Sequence, residues 1–260
     1  MTALAWASDA DLTARGWQAR LSSDGASAGR LVPDSVQPLH RAVVARARDA
    51  DARGLVLTGS TARGRRTEVS DLDYHLVGES IDTRDLSAEL DLHVLSAEEL
   101  TAALLAGDDF IQWSIRFGLV LFDDGTLHEA ARLIVEERLW PDVVRKAEHA
   151  ETSLNLARRV VASGDADGAL IQVRTALSLA ARAYLLALGE FPLSRAELPE
   201  QLAAAGRVSS ATALRTCIVG APSLPELDEA VTEGYALLET GSALASGSKP
   251  RSGATHSLRA

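Results

Sequence analysis

The spacing of apolar residues changes character once along this chain of 260 residues. Before Gly125, short apolar runs with the two-residue period of half-buried β-strands alternate with helical segments. After Gly125, the apolar residues recur at the three- and four-residue spacing of amphipathic helices. We therefore expect an α+β fold, in which a small mixed-sheet domain is followed by an all-α helical bundle.

The strands of the first half are short. Buried strands are predicted at 55–57, just before the turn Gly59-Ser60, and at 119–122. Residues 71–77 and 90–94 alternate between apolar side chains and aspartate or histidine, so each should bury one face and leave the other polar. If these two strands pair in a sheet, their polar side chains lie side by side on one face of that sheet.

Helical segments fill most of the remaining chain. Ser96 and Glu99 form a capping box at the start of one helix, which should stop at Gly107. Gly164-Asp165 should separate two long helices, as the C-cap of one and the N-cap of the next. The further predicted helices cover 33–51, 108–116, 143–161, 170–188, 194–205, 208–218 and 224–244.

These patterns predict four segments along the chain. Residues 1–32 form an N-terminal extension that includes the linker-like run Ser22–Gly29, which is rich in serine, glycine and alanine. The α/β domain covers 33–140 and the helical bundle covers 141–245. The polar tail, 246–260, is expected to be disordered.

Composition narrows the classes of function. The chain carries 26 basic and 36 acidic residues, a net charge of −10, which disfavours non-specific binding to nucleic acid or anionic membranes and suits a cationic substrate. The most apolar long stretch, 169–188, is interrupted by polar residues, so no membrane span is expected and the default location is the cytoplasm. Cys217, the single cysteine, is expected to be a buried apolar residue.

Three aspartates lie on the polar faces of the two alternating strands. Asp71 and Asp73 are two residues apart, so they share one face of their strand, and Asp91 lies on the next strand. Carboxylates held this close repel one another, and a divalent cation relieves the repulsion. Mg²⁺ takes oxygen ligands of this kind together with substrate phosphates. The three acids are therefore candidate metal ligands, and they could hold two ions for phosphoryl transfer.

The turn that precedes these acids suits a phosphate group. Gly59 lets the backbone approach a ligand closely, Ser60 supplies a hydroxyl, and a helix starting there would direct free N–H groups at an anion. Arg63 is the best candidate for neutralising a triphosphate, and Arg65 and Arg66 are weaker ones.

The pattern Gly59-Ser60-x10-Asp71-x-Asp73, with Asp91 beyond it, resembles the signature of the DNA polymerase β-type nucleotidyltransferases. It is closest to the minimal and aminoglycoside-modifying bacterial members, in which an α/β domain precedes a helical bundle. The resemblance implies that Gly59 and Ser60 contact the triphosphate and that Asp71 and Asp73 bind metal. Asp91 would bind metal or serve as the base that activates the acceptor hydroxyl.

The resemblance implies transfer of a nucleoside monophosphate, with Mg²⁺ as cofactor and ATP or another nucleoside triphosphate as donor. The expected acceptor is a hydroxyl on a small molecule such as an aminoglycoside-like antibiotic, and the enzyme could be a homodimer. The alternative is a toxin- or antitoxin-type enzyme that modifies transfer RNA or a protein partner; the acidic net charge disfavours RNA. A non-catalytic nucleotide-binding regulator ranks last, since all three acids are present.

Other polar residues have weaker claims. His75 and His93 share the strand faces of the acids and are expected to be hydrogen-bonded structural histidines. Tyr184 lies on the apolar stripe of its helix, which indicates core packing. The start of the bundle carries charged residues that could reach a substrate but are by default surface charges: Lys146, Glu148 and Glu151.

Overall fold

The computed structural model describes residues 14–67 and 70–247, and the chain divides after Asp142 into two compact units. The first unit contains a four-stranded sheet and helices, and the described part of the second contains helices only. This arrangement confirms the predicted fold class, a mixed-sheet domain followed by a helical bundle.

The first unit alternates between helices and strands. The elements of this unit in chain order are α1 (Ala14–Leu31), α2 (Gln37–Asp49), β1 (Gly54–Leu57), α3 (Gly59–Ala62), β2 (Leu72–Val77), β3 (Leu90–Leu95), α4 (Ala97–Leu105), α5 (Asp109–Phe117), β4 (Leu119–Asp123) and α6 (Thr126–Glu136). A 3₁₀ turn, Asp34–Val36, precedes α2.

The strands form one mixed sheet in the order β3-β2-β1-β4. β1 pairs antiparallel with both β2 and β4, whereas β2 and β3 run parallel. The alternation read from the sequence is borne out in β2, where Leu72, Tyr74 and Leu76 are buried in one core cluster. The opposite face of the same strand carries Asp73 and His75.

Each face of the sheet packs against its own set of helices. Leu55 of β1 and Leu76 of β2 share a core cluster with Val43 of α2. Val56 and Val77 point the other way, into a cluster built from α4, α5 and α6. Helices on both faces bury the strands, which explains the continuous apolar run of β1.

The prediction of a linker at Ser22–Gly29 is wrong, because these residues continue helix α1. Trp17 is fully buried and donates its indole N–H to the Asp123 carboxylate at 2.9 Å. The buried Asp24 accepts a hydrogen bond from the backbone N–H of Val120 at 3.0 Å. These contacts with β4 outweigh the poor helix propensity of serine and glycine. Residues 1–13 of the predicted extension lie outside the described residues.

The second unit is a helical bundle. Its helices are α7 (Val143–Ser163), α8 (Ala166–Leu188), α9 (Leu198–Ala204), α10 (Val208–Val219) and α11 (Leu224–Gly247). As the sequence predicts, Asp165 caps α8, accepting from the Gly168 N–H. Gly189 ends α8 in the left-handed conformation with φ +84°.

The bundle core is rich in alanine and leucine, and α8 supplies much of it. Cys217 is buried there, and burial raises the pKa of its thiol to about 11, which fits the expected apolar role. In the described part of the chain, we find no helix with the length and hydropathy of a transmembrane span. The predicted disordered tail, 246–260, starts too early, because α11 continues to Gly247; residues 248–260 lie outside the described ranges.

Candidate active site

The parallel pairing of β2 and β3 brings the acidic positions together. Asp73 lies opposite Asp91 in the ladder, and His75 lies opposite His93 two residues further along the strands. Asp71 precedes β2 by one residue. Asp71 and Asp91 are exposed, while Asp73 is half-buried between them and the rest of the sheet. The structure therefore places the predicted acids at one edge of one sheet face.

The Asp73 carboxylate is in an unfavourable electrostatic position. Burial first, and then the neighbouring charges of Asp91 and Asp71, raise its pKa from 3.8 to about 6. Within residues 14–67 and 70–247, no hydrogen bond or ion pair reaches this carboxylate. A half-buried, unpaired carboxylate beside two others is a group that a cation would stabilise.

The Gly59 turn contacts the same aspartate. The backbone N–H of Thr58 donates to the Asp73 carbonyl at 2.8 Å. Gly59 has φ +63°, and a Cβ there would overlap Asp73 Oδ2 and lie 2.7 Å from its Cγ. Glycine is thus required twice, by the backbone conformation and by the carboxylate. The half-buried Ser60 follows directly, so the turn and the acids form one site.

The helix expected at this turn begins at Gly59, not Ser60, and α3 comprises only four residues. So short a helix adds little dipole, and an anion would depend on individual N–H and hydroxyl groups. The preceding Thr58 is fully buried, and its hydroxyl has no hydrogen-bond partner in the described part of the chain. No sequence pattern marks this threonine as a site residue.

The three arginines after the turn lie in different environments. The guanidinium of Arg63 lies 5.9 Å from the centroid of the Phe117 ring. Arg65 is exposed. Arg66 is largely buried, donating to the Thr67 carbonyl at 3.0 Å and lying 3.4 Å from a Glu89 oxygen. Contact between any of them and a triphosphate remains a prediction.

An aromatic patch adjoins the acids on the same face, formed by His75, His93 and Phe110. The ring of His75 lies 5.0 Å from that of His93 and 4.6 Å, edge to face, from that of Phe110. Burial, and then His93, lower the pKa of His75 to about 3. The expected hydrogen-bonded role of His75 is wrong, since its side chain has no such bond in the described ranges.

The donor chemistry of the site fits Mg²⁺, which takes oxygen ligands and often only one or two protein carboxylates, with water and phosphates completing the shell. Asp73 and Asp71, which share one face of β2 and its approach, would hold it, with Asp91 opposite Asp73 on β3 as a further oxygen donor. Across 14–67 and 70–247, no three acidic, histidine or cysteine side chains form a ready-made ligand set. Metal binding by Asp71, Asp73 and Asp91 together, with one ion or two, therefore stays a prediction.

Other candidate positions are less favourable. A surface cleft of about 770 Å³ contains none of the predicted site residues, and its charges pair with each other, as Arg46 does with Asp85 at 2.7 Å. In the bundle, Tyr184 is buried beneath Arg207, which confirms its core role. Lys146, Glu148 and Glu151 lie on α7, where no described contact assigns them a function.

Comparison with known proteins adds little to this geometry. A scan against protein-family models gives no match, and a search of curated proteins gives none either. Among solved structures, the chain is similar to a nucleotidyltransferase-like protein from Exiguobacterium sibiricum, with 16% identity and a TM-score of 0.40. That alignment covers 76% of this chain and 72% of the other. So distant a likeness carries no weight for activity.

Proposed function

We propose that this protein is a metal-dependent nucleotidyltransferase that moves a nucleoside monophosphate from a nucleoside triphosphate to a hydroxyl group. The observation that supports it best is the contact of the Gly59 turn with Asp73, together with the pairing of Asp73 and Asp91 across two strands. A turn that fits phosphate beside unpaired carboxylates is suited to binding a metal–triphosphate complex.

The proposed reaction is one in-line displacement. The acceptor oxygen attacks the α-phosphorus, the bond from that phosphorus to the bridging oxygen breaks, and pyrophosphate leaves. Asp91 accepts the hydroxyl proton, for which it must lie within hydrogen-bond reach of the acceptor. Asp73 and Asp71 hold the cation, which when bound neutralises charge on the phosphates. Gly59 and Ser60 position the triphosphate, with Arg63 adding positive charge.

We further propose ATP as the donor, Mg²⁺ as the metal, and a small molecule as the acceptor. The net charge of −10 supports a cationic acceptor, of which an aminoglycoside-like compound is one example. The same proposal includes a homodimer, in which the pairing of two copies completes the site.

The test is a mass-spectrometric transfer assay on the full chain. Protein, Mg²⁺ and each of four nucleoside triphosphates would be incubated with a panel of hydroxyl-bearing small molecules, and in parallel with transfer RNA and with cell lysate. We expect a small molecule to gain the mass of one nucleoside monophosphate, and the gain to vanish with Asp73→Asn. Transfer to RNA or protein alone would favour the toxin or antitoxin alternative. Transfer that survives Asp73→Asn would refute the proposed site.

A further inference from the structure

The aromatic patch of His75, His93 and Phe110 is too exposed to be only part of the core. His75 is buried, with 4% of its surface exposed, and forms the floor beneath the other two rings. Phe110 is 47% exposed and His93 is exposed as well. The backbone that carries Phe110 is held at the start of α5, because the Asp108 carboxylate accepts from the Phe110 N–H at 2.9 Å.

The patch lies at a defined distance from the acids. His93 is two residues beyond Asp91 on β3, and His75 is two beyond Asp73 on β2, so each is about 7 Å further along its strand on the same face. A ligand whose reacting oxygen lies at Asp91 could therefore place a ring in contact with the patch.

The sheet order separates the two substrates. Asp73 lies on β2, with β1 on one side and β3 on the other. The Gly59 turn follows β1, so the proposed triphosphate side is the β1 side. Asp91 and His93 lie on the edge strand β3, where the acceptor would approach. The exposed rings thus adjoin the acceptor side of the site.

We infer that the patch binds the acceptor, and that the acceptor is a small molecule with a planar aromatic ring near the hydroxyl that is modified, in preference to the saturated rings of an aminoglycoside. The inference rests on the proposed function, because that function assigns the β1 side to the triphosphate and the β3 side to the acceptor. Aromatic rings stack on planar rings or meet them edge to face, and this geometry rewards an unsaturated ring over a saturated one of similar size.

The test measures binding and not transfer. Saturation-transfer NMR would compare the binding of indole-3-methanol and of cyclohexylmethanol to the full chain. The affinities of the protein for Mg²⁺ and for ATP would be measured separately. We expect the indole alcohol to bind more tightly. Phe110→Ala and His93→Ala should weaken it by about three- to tenfold and leave ATP affinity unchanged. Leu105→Ala, at a 60% exposed position on α4, is the matched control and should change neither.

Equal binding of the two alcohols, or unchanged binding in Phe110→Ala, would overturn the inference. Loss of ATP affinity in Phe110→Ala would also overturn it, because the ring would then serve the nucleobase. These results are separable from failure of the proposed function. If the wild-type protein binds the indole alcohol through Phe110 but transfers no nucleotide to any acceptor, the proposed reaction fails while the binding site remains.

Discussion

The Asp73 carboxylate is half-buried beside two other carboxylates, those of Asp71 and Asp91. This position lowers the stability of the folded protein when Asp73 is ionised. Its pKa is raised from 3.8 to about 6, so the folded state holds a proton that the unfolded state releases. Stability therefore falls as pH rises from about 4 to about 6, and the loss is complete above that range. A shift of this size corresponds to about 3 kcal/mol, or roughly 2 kcal/mol after solvent screening.

We expect Asp73→Asn to be more stable than wild type by about 2 kcal/mol at pH 8, and the gain to be mostly lost at pH 4. The same variant should be inactive in transfer. Urea unfolding followed by tryptophan fluorescence is the assay, because all four tryptophans lie in the first 142 residues and report on that unit alone.

Asp71→Asn is the control, since its carboxylate is exposed and its substitution should change stability by at most about 0.5 kcal/mol. Added Mg²⁺ should stabilise the wild-type protein but not Asp73→Asn. A wild-type protein as stable as Asp73→Asn at pH 8 would refute the electrostatic reasoning, as would a gain that persists unchanged at pH 4.

Three further perturbations test other parts of the site and fold. Gly59→Ala should destabilise the protein by about 1–3 kcal/mol and abolish nucleotide binding, because its Cβ would overlap Asp73. Gly125 also has a positive φ, +113°, but open space around it, so urea unfolding of Gly125→Ala should show a smaller loss. Trp17→Ala should cost about 3–5 kcal/mol by urea unfolding, and a change below 1 kcal/mol would contradict its place in the core. Asp91→Asn should lower turnover far more than ATP affinity, and equal losses would argue for a metal ligand only.

The sequence predicts the sheet well because the alternating strands carry a clear two-residue period. The polar faces of 71–77 and 90–94 could be identified residue by residue, and the structure pairs them. The sequence could not establish that pairing, because it depends on the connection between the two strands and not on either strand alone. It likewise could not show that Gly59 contacts the carboxylate of Asp73, which is a matter of packing.

Two features were missed for different reasons. Ser22–Gly29 has the composition of a linker but continues helix α1, and the burial of Trp17 and Asp24 in the fold helps to stabilise that helix. Phe110 gives no periodic signal, since it is one exposed aromatic residue in the first turn of α5. Its proximity to His75 and His93 comes from the fold.

The buried Asp24 has a consequence beyond the stability of its helix. β4 is an edge strand, and edge strands offer unpaired N–H groups to any passing chain. By accepting from the Val120 N–H, Asp24 occupies a position that a strand from a second molecule would need. Helix α1 therefore shields this margin of the sheet from strand addition and aggregation. At the opposite margin, β3 carries Asp91 and stays accessible to ligands.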